Sequence, residues 1–197
     1  SDENALVLDA RLHGGLPQRR ERLFMVAVRK DYCDLNPFHA FEGTDEIESL
    51  SSLLEQHHAI DKPCFLDKDS KYHEEMWVSA VASGKLVEPF QLVQYRKTWA
   101  RIIEPGICPT LTQNMGAGGH NVPFYLDIER EQFRKLSVNQ CLSLQGFPEK
   151  FSFPESTTDA ACYRMIGNSV SPKVSQILAE KISTFLEEQD NELKLAI

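Results

Sequence analysis

The stretch Arg134-Lys-Leu-Ser-Val-Asn-Gln-Cys-Leu-Ser-Leu-Gln-Gly-Phe-Pro148, followed about twenty positions later by Gly167-Asn-Ser-Val-Ser-Pro172, decides how this chain is read. Ser137 with Gln140 three positions on is a capping-box pair, and Leu136 can staple to Cys141. A short helix should therefore start here and stop at Gly146-Phe-Pro148. A further helix is expected from about Thr158 to Met165. Gly167 would cap it in the left-handed conformation, with Asn168 and Ser169 presenting polar groups at the tight turn that follows. Pro172 suits the first turn of a last helix, in which Val174, Ile177, Leu178, Ile182, Phe185 and Leu186 recur at spacings of three and four and need something to pack on. From Glu187 onward the tail is polar enough to fray.

Near the start, Pro17-Gln18-Arg19-Arg20-Glu21-Arg22 runs into the apolar stretch Leu23-Phe-Met-Val-Ala-Val28, and Ala5-Leu-Val-Leu8 is a second short apolar run. Both read as strands. The period of two puts Arg20 and Arg22 on the same side, so both can face one cleft. Leu23 to Val28 has no polar alternation, as in a strand buried on both faces, and so few residues cannot supply the layers above and below it. An exposed apolar face, or a partner that covers it, is the expectation.

Between these ends, Thr44 to about Glu55 reads as an amphipathic helix, with Asp45 and Glu46 in its first turn and Ile47, Leu50, Leu53 and Leu54 on one stripe. A weaker helix runs from about Asp69 to Ala82 and stops near Gly84. From Pro89 to Phe124, prolines and glycines predict loops and short strands. Inside that region lies Cys108-Pro-Thr-Leu-Thr-Gln-Asn-Met-Gly-Ala-Gly-Gly-His-Asn-Val-Pro-Phe124. Thr110, Thr112, Gln113, Asn114, His120 and Asn121 offer compact donors and acceptors for base edges and phosphates. Gly116, Gly118 and Gly119 let the backbone approach a groove unobstructed. Gly116-Ala-Gly-Gly119 does not read as a nucleotide-cradling loop, because no strand leads in and no helix pattern leaves.

The formal charge is −8, but the acid is local. Residues 11 to 30 hold six cations against Glu21, whereas residues 40 to 75 hold ten acids against three lysines. Affinity for nucleic acid follows where cations cluster, so the net sign is a weak objection to DNA binding. Five scattered cysteines without a Cys-x-x-Cys pair argue against a disulfide framework and against a metal site. His57-His58 reads as a solvated helix end. With no long apolar span and no signal pattern, a soluble intracellular protein with no membrane partner is expected: cytoplasmic and nucleoid-associated if bacterial.

The blocks quoted first resemble motifs IX and X of the cytosine-5 DNA methyltransferases of bacterial restriction-modification type. Gln18-Arg19-Arg20-Glu21-Arg22 resembles motif VIII, a Gln-x-Arg-x-Arg run before a strand, and Cys108 to Phe124 is similar to the core of a target-recognition domain. Motif IX more often has Glu where this chain has Gln140. The resemblance implies an α/β fold: edge strands and the C-terminal helix of an incomplete Rossmann-like S-adenosylmethionine-dependent methyltransferase domain, plus a small irregular mixed α/β target-recognition domain. Residues 1–30 would close the catalytic sheet, 31–130 would recognise the target, and 131–197 would return to the catalytic domain. By the same resemblance Arg22 would bond the carbonyl oxygen of an extruded cytosine, and Arg20 would help hold the site or the backbone. Asn168, Ser169 and Val170 would line part of the S-adenosylmethionine pocket, and Arg134 would join the DNA-binding set.

The implied reaction moves a methyl group from S-adenosylmethionine to carbon 5 of a cytosine flipped out of duplex DNA. The family's nucleophile is a cysteine directly after proline, upstream of motif VIII. Pro63-Cys64 comes after that motif and is followed by Phe65-Leu66, so both order and context differ, and Cys64 reads as a structural or surface thiol. His120-Asn-Val stands where no proton-transfer role follows, since the family's acid is in Glu-Asn-Val. The chain is thus expected to be inactive alone. It would depend on a second polypeptide, or on an N-terminal segment, carrying the cofactor loop and the nucleophile. The alternative is a non-catalytic DNA-binding or regulatory protein derived from the recognition half.

Overall fold

The computed structural model describes residues 5–29, 41–96, 99–116 and 121–195. Strand β1 (Ala5–Asp9) pairs antiparallel with β2 (Glu21–Met25), Val7 opposite Leu23 and Ala5 opposite Met25. One face of this two-stranded sheet packs Leu6, Leu8 and Phe24 against Leu16 and Val174. The other face is open: Val7 is 56 %, Leu23 59 % and Met25 80 % exposed. An exposed apolar face therefore exists, but β2 is covered on one side only and ends at Met25, short of the predicted Val28.

Helix α1 spans Leu50–His58, beginning later than the stripe from Thr44 suggested. Ser49 caps it by accepting the Ser52 amide, while Thr44 and Glu48 donate their amides to the Leu12 and Gly15 carbonyls. The Glu48 amide, which a helix starting at Thr44 would direct to the Thr44 carbonyl, is therefore spent on the turn at 12–15. Helix α2 (Lys71–Met76) continues directly into a π-helical segment (Trp77–Ala82), and Gly84 with φ +66 ends the run.

A four-stranded antiparallel sheet follows in the order β4 (Trp99–Ile102), β3 (Val93–Arg96), β5 (Pro123–Asp127), β6 (Gln132–Lys135). Its Val93, Ala100 and Phe133 pack against Met76 and Ala80 of the helical layer. On the opposite face, Tyr125 enters a second core with Leu50 and Leu54, the helix α3 (Val138–Gln145), and Tyr163 and Ile166 of α4 (Asp159–Asn168). This core joins residues from both sides of position 130. Helix α5 (Pro172–Leu195) lays Val174 against the β1–β2 sheet and stays helical to Leu195, where fraying was expected.

Helix α3 has the capping box: the Ser137 hydroxyl accepts the Gln140 amide, and the Gln140 side chain accepts the Ser137 amide. Gly146 ends it at φ +83. Gly167 differs from expectation. It lies inside α4, which the Thr158 side chain caps and Ser169 closes, and it has no positive φ. Glycine is required there by space, since a Cβ would sit within 2.5 Å of the Thr112 carbonyl oxygen and nearer still to Gln113 nitrogen. His57 and His58 also depart from a solvated helix end, bonding the Ser143 and Tyr125 hydroxyls at 3.0 Å each. Among the described residues, no helix is long and apolar enough to cross a membrane.

Candidate functional site

Four distant stretches converge on two buried side chains just before β2. Gln18, fully buried, accepts the Leu111 amide at 3.1 Å and donates to the Leu144 carbonyl at 3.0 Å and to Gln145 Oε1 at 2.8 Å. Gln145 passes the contact on, its Nε2 reaching both the carbonyl and the hydroxyl of Ser169 at 3.2 Å. Arg20, 2 % exposed, donates to the carbonyls of Leu111 (2.7 Å), Gly167 (2.8 Å) and Ser169 (2.6 Å). Main-chain bonds complete the junction: Arg19 N to Cys108 O and Cys108 N to Pro17 O, both 2.9 Å.

Among the described residues, Arg20 meets no carboxylate. Its charge is spread over three carbonyl dipoles, the arrangement a buried guanidinium needs when no counter-ion shares the site. Burial first, and the neighbouring charge of Arg22 second, lower its pKa to about 10, which leaves it cationic at neutral pH. Burial likewise raises the Cys108 and Cys141 thiols, so both stay protonated and serve as packing groups.

The residues singled out from sequence fall into three groups. Beside the junction, Thr110 donates to the Arg19 carbonyl at 2.7 Å, Thr112 is half-buried, and the exposed Gln113 and Asn114 lie in the 3₁₀ turn Gln113–Gly116. Asn168 Nδ2 lies 3.4 Å from Gln113 Oε1, so the 3₁₀ turn touches the Gly-Asn-Ser bend. Asn168 and Val170 are exposed and Ser169 is half-buried. Arg22, on β2, is half-buried with Nη1 on the Glu21 carbonyl at 2.7 Å.

Asn121 stands apart from the junction. It takes φ +84, its carbonyl accepts from Gln94 Nε2 at 2.9 Å, and its Oδ1 is buried without a partner among the described residues. Gly118, Gly119 and His120 lie outside the described residues.

Arg134, expected to contact DNA, is turned inward instead. Its two terminal nitrogens bond the carbonyls of His58 (2.7 Å) and Asp61 (3.0 Å), and its guanidinium lies over the Tyr125 ring. Those bonds tie the end of α1 to the sheet and leave no terminal donor facing open surface. Sequence reasoning gave no role to Gln18 or Gln145. The available signal was an uncharged amide in an apolar setting, Leu16-Pro-Gln18 and Leu144-Gln145, where a buried polar group must find partners.

A family model described as C-5 cytosine-specific DNA methylase matches residues 4–184. The type II methyltransferase M.Bsp6I of Bacillus sp. (strain RFL6) is 33 % identical over 178 residues, covering 89 % of this chain and 53 % of that protein. M.HhaI of Haemophilus parahaemolyticus is 28 % identical over 188 residues, covering 93 % and 54 %. Among solved structures, the Entamoeba histolytica methyltransferase EhMeth aligns with TM-score 0.57 at 16 % identity, covering 92 % of this chain and 53 % of its own. The chain spans about half the length of the curated relatives it matches.

Proposed function

Because the chain belongs to the C-5 cytosine-specific DNA methylase family, we propose that it is the target-recognition and C-terminal portion of an enzyme that methylates carbon 5 of a cytosine flipped from duplex DNA. The observation that carries this reading is the junction at Arg20. The arginine turn, the Leu111–Gln113 stretch and the Gly167-Asn-Ser169 bend, three stretches that resemble family blocks, are held within hydrogen-bond distance of one side chain.

In this reading Arg20 positions the backbone of both loops. Arg22 faces the substrate, where its donors stabilise negative charge developing on the cytosine carbonyl oxygen. Loss of such a donor costs about 100-fold or more in rate. Thr110, Thr112, Gln113 and Asn114, with Gly116, Gly118, Gly119, His120 and Asn121, would contact the DNA. Arg134 serves this surface by holding α1 to the sheet.

S-adenosylmethionine would supply the methyl group. The residues present fit part of its site: Asn168 offers an amide and Val170 an apolar side chain on the open side of the bend, while the Ser169 carbonyl and hydroxyl are engaged internally. The nucleophilic cysteine and the main cofactor loop would come from another polypeptide segment. The apolar face of Val7, Leu23 and Met25 suits that assignment, because a two-stranded sheet with an uncovered face is marginal by itself. Action on DNA would place the protein with the genome: in the cytoplasm if bacterial.

The test is to assay transfer of labelled methyl groups from S-adenosylmethionine to duplex DNA. The chain is expected to be inactive alone and active when mixed with a polypeptide carrying the earlier blocks of a relative. Sustained transfer by the chain alone would overturn the division of labour. Tight, site-specific DNA binding with no activity in any mixture would favour a regulatory protein.

A further inference from the structure

A groove of about 390 Å³ opens between the last turn of α1 and the outer face of α3. The sequence builds it through the chain reversal after α3. Gly146 turns the backbone at φ +83, the Phe147 amide returns to the Leu142 carbonyl at 3.0 Å, and the Phe151 amide closes a turn on the Pro148 carbonyl at 2.8 Å. That turn sets Phe151 against Phe147, ring centroids 4.7 Å apart, with Phe153 edge-on to Phe151. Phe151 stays 38 % exposed at the groove, and Leu142 completes the apolar wall.

Two of the polar side chains lining the groove already have partners. His57 Nε2 lies 3.0 Å from the Ser143 hydroxyl, and Asn139 donates at 2.8 Å to Asp61, whose other carboxylate oxygen takes the Ser137 hydroxyl. Glu149 differs. It is exposed on the turn, it lines the groove, and its carboxylate has no hydrogen bond or ion pair among the described residues. Lys150 follows it in the chain but does not line the groove. Aromatic faces thus adjoin one free negative charge. An anion would be repelled there, and a neutral apolar group would gain nothing from Glu149. A guanidinium fits both surfaces, because its plane stacks on aromatic rings, its donors pair with a carboxylate, and its methylene stem can lie along Leu142.

We propose that the groove between α1 and α3 is a docking site for a polypeptide partner that inserts an arginine side chain against Phe147, Phe151 and Glu149. Charge complementarity selects that occupant over a nucleic acid, whose phosphates the carboxylate would repel. Gln140, Cys141, Leu144 and Gln145 are buried on the other face of α3, where Gln145 meets Gln18. A partner docked in the groove therefore leaves the Arg20 junction uncovered. Nothing in this docking requires the methyltransferase reading.

The experiment is a nuclear magnetic resonance titration of the full chain with the peptide acetyl-Gly-Arg-Gly-amide, following the signals of His57, Ser143 and Phe151. The citrulline counterpart of that peptide has the same shape without the charge. Expected is a saturable shift of those signals by the arginine peptide with Kd about 1 mM, and binding of the citrulline peptide about fivefold weaker. Glu149→Gln should bring the arginine peptide down to the citrulline level, and Phe151→Leu should weaken it about two- to fivefold. Glu74→Gln, an equal change of charge on α2 beyond the opposite face of the four-stranded sheet, should bind as the wild type does. Matched thermal melts of all variants exclude a folding defect. Equal affinity for the two peptides, undiminished affinity in Glu149→Gln, or groove signals unmoved at about 10 mM arginine peptide would each overturn the assignment.

Discussion

The guanidinium of Arg20 lies 2.6 Å from the carbonyl oxygen of Ser169, although 149 positions separate the two residues. The same nitrogen also holds the Gly167 carbonyl, and its twin holds Leu111, so one side chain fixes two loops relative to each other. Gln18, its neighbour two positions earlier, ties the same Leu111 to Leu144 and Gln145.

Arg20→Ala should destabilise the chain by at least about 2 kcal/mol, since bonds to a charged donor contribute about 1.5–3 kcal/mol each and three buried carbonyls lose their partner. Arg22→Ala should cost about 0.5 kcal/mol or less, as its hydrogen bond to the Glu21 carbonyl is exposed and local. Urea unfolding of the two variants side by side decides the matter. Equal midpoints would mean that Arg20 is not the clamp.

Gly167→Ala sets two rules in opposition. Helix propensity alone favours alanine by about 1 kcal/mol. The added methyl would collide with the backbone at Thr112 and Gln113, a contact that cannot swing aside, and overpacking costs about 1–3 kcal/mol. The variant should therefore melt lower than wild type, and a higher melting temperature would show that α4 and the 3₁₀ turn are not in close contact.

Gln18→Leu should cost about 1–3 kcal/mol by stranding the Leu111 amide. Gln145→Leu breaks the same chain one step further on, so the double variant should lose less than the sum of the singles. Simple additivity in a double-mutant cycle would argue that the two amides act independently.

His73 gives the four-stranded sheet and its helical layer a pH dependence. Its ring is packed between Trp77 and Phe133, its Nε2 has no partner among the described residues, and burial, assisted by Lys68 and opposed by Asp67, lowers its pKa. Because the unfolded chain takes up this proton first, the stability contributed by neutral His73 is present above about pH 6.5 and is lost as pH falls from there through the lower folded value. His73→Phe should flatten the stability profile below pH 6.5 relative to wild type. An unchanged difference between pH 7 and pH 5 would rule out this residue as a source.

Local elements were legible where a single turn decides them. Ser137, Gln140 and Gly146 specify α3 from both ends, and Gly84 stops the run begun at Ser70. Legibility failed where the backbone is committed over long range. The stripe from Thr44 looks helical, yet Thr44 and Glu48 spend their amides on the turn at Leu12 and Gly15, which no local pattern announces. Gly167 looked like a cap for the same reason: sequence gives its neighbours along the chain and not the Thr112 carbonyl against it. Arg134 was read as a free cation because charged residues usually are, whereas its partners are main-chain carbonyls, which leave no trace in a sequence.

The uncovered side of the β1–β2 hairpin makes supply a physical variable. Beside that exposed face, β2 has no further strand neighbour among the described residues, so its edge can pair with a similar edge, including that of another copy. Left without whatever shields that surface, the chain should aggregate the more, the higher its concentration.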